Sequence, residues 1–413
     1  MTAHRSHYLL AAGSALLIAA LYLPSVARSF GDGTSWSVSD LHISYAAGFI
    51  RRGLLGEAAA RLQDATGLST GVFFPALFML LTAALIALQT ALAWPLRTRP
   101  ALFLLVMFSP ALVLFPAYDY GGYLRKDAFI VLGLFVHALV ARGVMAGTRT
   151  QGAYRVFAFA VLAPYLAVST LIHENQAIFL PVHALLIYMA CGTPPPVRHI
   201  LTVQGPAMAP ASLCFVAAVF HHGDAATAAA VCNAWTGRAE TACDAINFLA
   251  WGYDQVWIYV VQLVSDTRAL SIFAASLLLA LVPPFLVRRA LPREGQVPLG
   301  LLLAATAPTA VLFLLGWDWG RWIHLICAGI MTPLLAGAVR APAPVAARRY
   351  RAAQDTLPML AAWMGALLYI STWRVNVCCL PTTLRGGLAP TLAADISAAL
   401  RNPADTERAT ATK

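Results

Sequence analysis

Eleven stretches of this chain, near 8–26, 71–94, 101–117, 128–141, 153–172, 176–191, 201–220, 268–287, 298–316, 322–339 and 356–373, are apolar and almost free of charge. A helix crossing a membrane needs about 20 mostly apolar residues, because inside lipid its backbone finds hydrogen-bond partners only within itself. A water-soluble core cannot absorb so much apolar side chain. Of the 413 residues 60% are hydrophobic and 11% charged, against roughly 45–50% and 25% in a soluble domain. The expected fold class is therefore all-α, a polytopic transmembrane helix bundle of about 11 spans. Residues 1–400 read as a single transmembrane domain without internal repeats, and 401–413 as a polar tail.

Charge placement predicts the orientation. Cations flanking short loops stay on the cytoplasmic side. With the N-terminus inside, that side collects Arg97, Arg99, Arg142, Arg149, Arg155, Arg198, Arg288, Arg289, Arg293, Arg340, Arg348, Arg349 and Arg351, with only Glu294 and Asp355 as acids beside them. The C-terminus is then outside, and the long outer loops are 27–70 and 221–267. The expected location is the bacterial inner (cytoplasmic) membrane, with the chain crossing many times. The formal net charge of +10 reflects this sorting, so nucleic acid is not an expected partner. Cys232 and Cys243 share the outer loop 221–267, where an oxidising compartment lets them pair. No cysteine and histidine set has zinc-binding spacing, so no structural metal is expected.

The polar residues outside the inner loops gather in four clusters, each at the outer end of an apolar run. The first is Asp40 with His42, followed by Arg51, Arg52 and Glu57. The second is the segment 118–127, with Asp119, Tyr120, Arg125, Lys126 and Asp127. The third is His173-Glu174-Asn175-Gln176, and the fourth is Trp317-Asp318-Trp319-Gly320-Arg321. Taken singly, Asp127, Glu174 and Asp318 read as caps of the helices that follow them. Taken together, ions at a membrane surface are costly unless they pair or face water, so the four clusters are expected to converge on one site. Residues 41–63 show a helical apolar pattern with arginines between, which predicts an amphipathic helix on the outer surface. Paired guanidinium groups there suit a phosphate. Eight of the ten tryptophans fall on the outer side, more than an interfacial belt on both faces requires. His137 and His183, inside the runs, read as helix-packing residues.

This arrangement resembles the GT-C class of integral-membrane glycosyltransferases, which take sugars from polyprenyl-phosphate carriers on the outer face. The likeness lies in the number of spans, the inside N-terminus, and a first outer loop with an acidic residue followed by a surface helix. It implies a glycosyltransferase of cell-envelope glycan assembly whose partners are membrane lipid, a lipid-linked sugar donor and a glycan or lipid acceptor. Members commonly place a catalytic acid in the first outer loop, here Asp40 or, as the lesser candidate, Asp32. The loop lacks a D-x-D or E-x-D pair, and no large outer C-terminal domain follows. That leaves the cofactor unknown, a divalent metal being the one candidate.

In residue terms, transfer asks for a carboxylate to take a proton and for cations to hold the departing phosphate. Asp40 is the expected base, with Asp119 or Asp318 as substitutes, and His173 with Glu174 orients the acceptor. Arg51, Arg52, Arg125, Lys126 and Arg321 would bind phosphate, and Trp317, Trp319 and Tyr120 would contact sugar. A polymerase or ligase of lipid-linked oligosaccharides, and a transporter or flippase, are the competing readings.

Overall fold

The computed structural model describes residues 2–31, 35–118, 120–191, 200–239, 243–292, 295–340, 356–378, 381, 383 and 384. Among them there is no β-strand; two residues, Ala46 and Gly48, form an isolated bridge. The principal helices are α1 (Thr2–Ser29), α2 (Trp36–Leu41), α3 (Gly53–Thr66), α4 (Thr70–Ala93), α5 (Pro100–Met107), α6 (Asp127–Met145), α7 (Gln151–Ile172), α8 (Leu180–Cys191), α9 (Leu201–Phe220), α10 (Ala225–Ala234), α11 (Tyr253–Ser265), α12 (Thr267–Ala290), α13 (Leu299–Leu315), α14 (Trp319–Gly337) and α15 (Thr356–Thr372). Among the described residues, six of the eleven apolar runs lie in helices long and apolar enough to cross a membrane: Arg5–Ser29, Thr70–Thr98, Asp127–Met145, Gln151–Ile172, Leu201–Phe220 and Thr267–Ala290.

The run at 101–117 does not form one continuous helix. Its helix stops at Met107, and residues 108–114 turn irregularly before a short helix at Phe115–Tyr118. Pro110 supplies no backbone N–H, and the carbonyls and amides freed by the break lie in the bundle, where each needs a partner. Gln89 of α4 is that partner. Its side-chain amide donates to the carbonyls of Val106 at 3.1 Å and Met107 at 3.2 Å, and its oxygen accepts from the Val113 amide at 3.3 Å. The Tyr22 hydroxyl donates to the Val113 carbonyl, and His324 Nδ1 lies 3.1 Å from that of Ala111.

The expected surface helix also begins later than its apolar pattern suggests. Residues 42–52 form a turn in which Gly48 (φ 94°) and Arg52 (φ 64°) take left-handed backbone, and α3 starts only at Gly53. It buries Leu55, Gly56 and Ala59, while Arg61 and Asp64 are exposed.

Two helices form the centre. α14 is buried along nearly its whole length and packs against α6. α6 and α14 both begin at the end of the bundle where α7 finishes, so Asp127, Arg321 and His173 meet there. The opposite end gathers cations on helix C-termini, where the helix dipole favours them. Arg142 donates to the carbonyls of Ala91 at 2.6 Å and Leu92 at 3.0 Å, and Arg99 donates to that of Ala290.

Between the two ends runs a buried polar chain. His137 Nε2 lies 2.8 Å from the Tyr154 hydroxyl, His137 Nδ1 lies 2.9 Å from His183 Nδ1, and His183 Nε2 lies 3.3 Å from the Gln176 amide. Both imidazoles use both nitrogens, as their reading as packing residues requires. Replacing His137 with Phe is expected to destabilise the protein by roughly 1–3 kcal/mol, since His183 and Tyr154 each lose a partner in the core. An unchanged thermal-unfolding midpoint in detergent would show that the chain carries no structural weight.

Candidate functional site

Each charged residue reaches the site because an element ends there. Asp40 is in the last turn of α2, whose first turn is capped by Ser35 accepting from the Val38 amide at 3.4 Å. Arg51 and Arg52 close the turn before α3. Lys126 and Asp127 open α6, His173 terminates α7, Glu174 begins the turn that leads to α8, and Asp318 with Arg321 starts α14.

These side chains form one ion network. Asp40 lies 3.6 Å from Arg52 and 3.5 Å from Lys126, whose ammonium also donates to the backbone carbonyls of Asp40 at 2.7 Å and Arg52 at 3.2 Å. Arg52 grips Glu174 with Nε at 2.9 Å and Nη2 at 2.6 Å, and Arg51 approaches the same carboxylate at 4.0 Å. His173 stands between Glu174, at 3.5 Å, and Asp127, at 3.3 Å. Arg321 holds Asp127 through Nε at 2.6 Å and Nη2 at 3.0 Å, and its third nitrogen pairs with Asp318. The four clusters of the sequence thus meet in one place.

The balance of charge is uneven. Among the described residues Arg51, Arg52, Arg125, Lys126 and Arg321 face Asp40, Asp127, Glu174 and Asp318, an excess of one cation. Burial alone would raise the Asp40 carboxyl, but Lys126 and Arg52 outweigh it and hold it at about 2. Burial is likewise outweighed at Glu174, which Arg52 keeps well below the usual carboxylate range. At Arg51 and Arg125 the outcome is reversed. Burial lowers both guanidinium groups from their ordinary value, and the carboxylates within reach do not make it up.

Geometry agrees with that reading. Arg51 Nε is buried without a hydrogen-bond partner. Arg125, 8% exposed, donates through Nε to the Gly121 carbonyl at 2.8 Å and has no carboxylate within 4 Å among the described residues. It borders a cavity of about 30 Å³ with Asp127, Tyr22, Phe115, Tyr123 and His324. Arg52 is the one non-glycine residue with positive φ among those described. Such backbone is sparsely populated and is retained where its surroundings enforce it, here by the contacts of Lys126 and Glu174.

No family model, curated protein or solved structure matches this chain. What the site can do rests on its own geometry. The remaining sequence candidates fall as follows. Asp32, Asp119 and the side chain of Tyr120 lie outside the described residues. His42 turns away from the ions, with Nδ1 2.8 Å from the Val38 carbonyl and Nε2 3.0 Å from the Thr70 hydroxyl, and it lines a separate hollow of about 280 Å³ with Val38, Thr70 and Leu124. Glu57 pairs with Arg61 at 2.7 Å instead.

The tryptophans divide in the same way. Trp317 joins a cluster of rings, 4.5 Å from Tyr259, 5.8 Å from Phe248 and 6.1 Å from Trp251. Trp319 is pinned by its indole N–H to the carbonyls of Phe313 and Gly316, each at 3.1 Å, and packs on Phe273 and Phe313.

Cys232 and Cys243 are joined in a disulfide. Cys232 packs against a small separate core around Ile43, Ile50, Val231, Trp235 and Leu249. From it Trp235 donates to the His42 carbonyl at 2.6 Å, and the Ala245 amide donates to the Ser39 hydroxyl at 3.2 Å, so this unit positions the helix that carries Asp40.

The carboxylates do not suit a divalent metal. Each of the four is already engaged by a guanidinium or ammonium, and among the described residues no group of three or more histidine, cysteine or acidic side chains is disposed to hold an ion. Asp127 is the residue that sequence reasoning placed too modestly, as a helix cap. The signal for it was its position beside Arg125 and Lys126 in the same cluster.

Proposed function

We propose that the chain is an integral-membrane glycosyltransferase that moves a sugar from a polyprenyl-phosphate carrier to an acceptor at the membrane face bearing the ion network. On this reading the arginine-rich loops lie in the cytoplasm, the network faces outward from a bacterial inner membrane, and the product belongs to cell-envelope glycan assembly. The observation that carries it is the surplus of guanidinium charge at Arg51 and Arg125, beside carboxylates that are fully engaged. A departing lipid phosphate supplies the missing negative charge, and fixed cations that meet developing charge lower a barrier more than any other single device. The rings of Trp317, Trp251 and Tyr259 beside Asp318 offer faces for a sugar. Six helices of membrane-crossing length suit a donor whose carrier stays in lipid.

The test is transfer itself. Purified protein in detergent, given a radiolabelled polyprenyl-phosphate hexose and a membrane-lipid extract as acceptor, is expected to release free polyprenyl phosphate and label the acceptor. Arg51→Ala and Arg125→Ala are each expected to lower kcat by about 10²–10³-fold, the scale for losing one donor to developing charge. Uptake of the donor into sealed vesicles with its sugar still attached would instead mark a transporter.

A further inference from the structure

Of the five cations in the network, Arg125 alone has no carboxylate within 4 Å among the described residues. It is buried, and a charge removed from water is costly unless something of opposite sign stands beside it. Its Nε donates to the Gly121 carbonyl at 2.8 Å. The two terminal nitrogens, which are donors only, have no hydrogen-bond partner among the described residues.

The cavity of about 30 Å³ that Arg125 borders lies between α1, α4, α6 and α14. Tyr123 lines it too, and its hydroxyl is buried without a hydrogen-bond partner. Thr82 stands beside that hydroxyl and lines the same cavity. Part of the wall is Val113, in the irregular backbone after α5. Such backbone at membrane depth is tolerated where it is enclosed by protein or lines a wet cavity.

The other polar groups of the wall do not supply the missing charge. Asp127 borders the cavity, but Arg321 holds both its oxygens, at 2.6 and 3.0 Å. His324 Nδ1 lies 3.1 Å from the Ala111 carbonyl. A carbonyl only accepts, so that nitrogen carries the hydrogen and the other is left as an acceptor, which suits a water. A buried water needs roughly 10–15 Å³ of such space, so the cavity takes about two water-sized bodies. A monatomic anion with one water fits, whereas a tetrahedral oxyanion such as phosphate is too large.

We infer that this cavity is a binding site for one small inorganic anion of halide size, held by the terminal nitrogens of Arg125 and the Tyr123 hydroxyl. The ion neutralises a guanidinium that no carboxylate reaches and keeps that side chain in place before a donor arrives. Binding of the ion stands apart from the glycosyl-transfer reading above; its release when the donor's phosphate takes over the charge of Arg125 rests on that reading.

The experiment uses chloride and the full chain purified in detergent. At constant ionic strength, replacing sodium gluconate with sodium chloride is expected to raise the thermal-unfolding midpoint by roughly 1–3 °C once chloride stands about tenfold above its Kd. Arg125→Gln is expected to abolish that rise, and Tyr123→Phe to weaken the Kd by about 10-fold, the scale for one hydrogen bond to a charged group. Arg61→Gln, which breaks an exposed pair, is expected to leave the rise unchanged. A midpoint that ignores chloride, or a rise that survives in Arg125→Gln, overturns the site. Wild-type crystals grown in sodium bromide need no variant: an anomalous peak between Arg125 and Tyr123 is expected, and water alone there overturns the assignment. In the transfer assay chloride is expected to raise the KM for the polyprenyl-phosphate hexose without changing kcat, and a KM indifferent to chloride overturns the competition. A wild type that holds bromide at Arg125 yet transfers no sugar overturns the glycosyltransferase reading and leaves the ion site standing.

Discussion

Replacing Arg321 with alanine is expected to lower stability by roughly 3–5 kcal/mol, the scale for breaking a buried ion pair by removing one partner. Arg321 lies in the first turn of α14 and is the contact through which that helix holds both Asp127 of α6 and Asp318. Without it, two carboxylates remain at the end of the bundle, and Asp127, 4% exposed, keeps only His173. The loss is one of uncompensated charge rather than of packing. Arg321→Lys should therefore recover part of it, since an ammonium restores the charge without the fork that spans Asp127. The comparison is Arg61→Ala: Arg61 pairs with Glu57 at 2.7 Å, but its side chain is 81% exposed, and water screens such a pair to about 0–1 kcal/mol. Thermal-unfolding midpoints in detergent should separate the two variants clearly. Equal midpoints would mean that the network is a bystander to the fold.

The convergence of the charged clusters was legible in the sequence for the same physical reason that makes Arg321 important. A chain with so few charges cannot scatter them along apolar helices, so their arrival at one end follows from topology and desolvation. The partners within the cluster were not legible. That Arg52 meets Glu174, 122 residues away, and that Arg321 meets Asp127, 194 residues away, depends on which helices neighbour one another, and α6 and α14 are paired by packing that no local pattern encodes. His173 illustrates the limit. Its place between Asp127 and Glu174 is visible only once α6 and α7 are docked, whereas its sequence neighbours suggested a group that orients an acceptor. The break in the helix at 101–117 was hidden for a related reason: hydropathy registers side chains, while Gln89, one polar residue in another apolar run, supplies the backbone partners that allow the break.

Gly320→Ala is expected to produce a comparably large loss through shape alone. A Cβ on Gly320 would stand 1.5 Å from the backbone oxygen of Asn376 and 2.6 Å from its carbon, and backbone atoms cannot rotate out of the way. The segment after α15 therefore crosses the start of α14 at a distance only glycine permits. That segment is anchored by Arg374, which donates to the Tyr118 carbonyl at 3.1 Å, and by the buried Trp373, Val375 and Val377. An added methyl must lift the segment off or displace the first turn of α14, which carries Arg321. The first outcome exposes three buried apolar side chains, each worth about 1.5–3 kcal/mol when fully buried; the second loosens the ion network. Gly300→Ala is the control, because a Cβ there meets nothing within 4 Å and alanine in a helix is favoured over glycine by about 1 kcal/mol. Limited proteolysis after α15 tells the outcomes apart. Rapid cleavage of Gly320→Ala with the proposed transfer intact means that the segment alone has lifted, whereas resistance to cleavage with that transfer lost means that α14 has moved. A variant as stable, protected and active as Gly300→Ala would show that the two backbones do not cross as described.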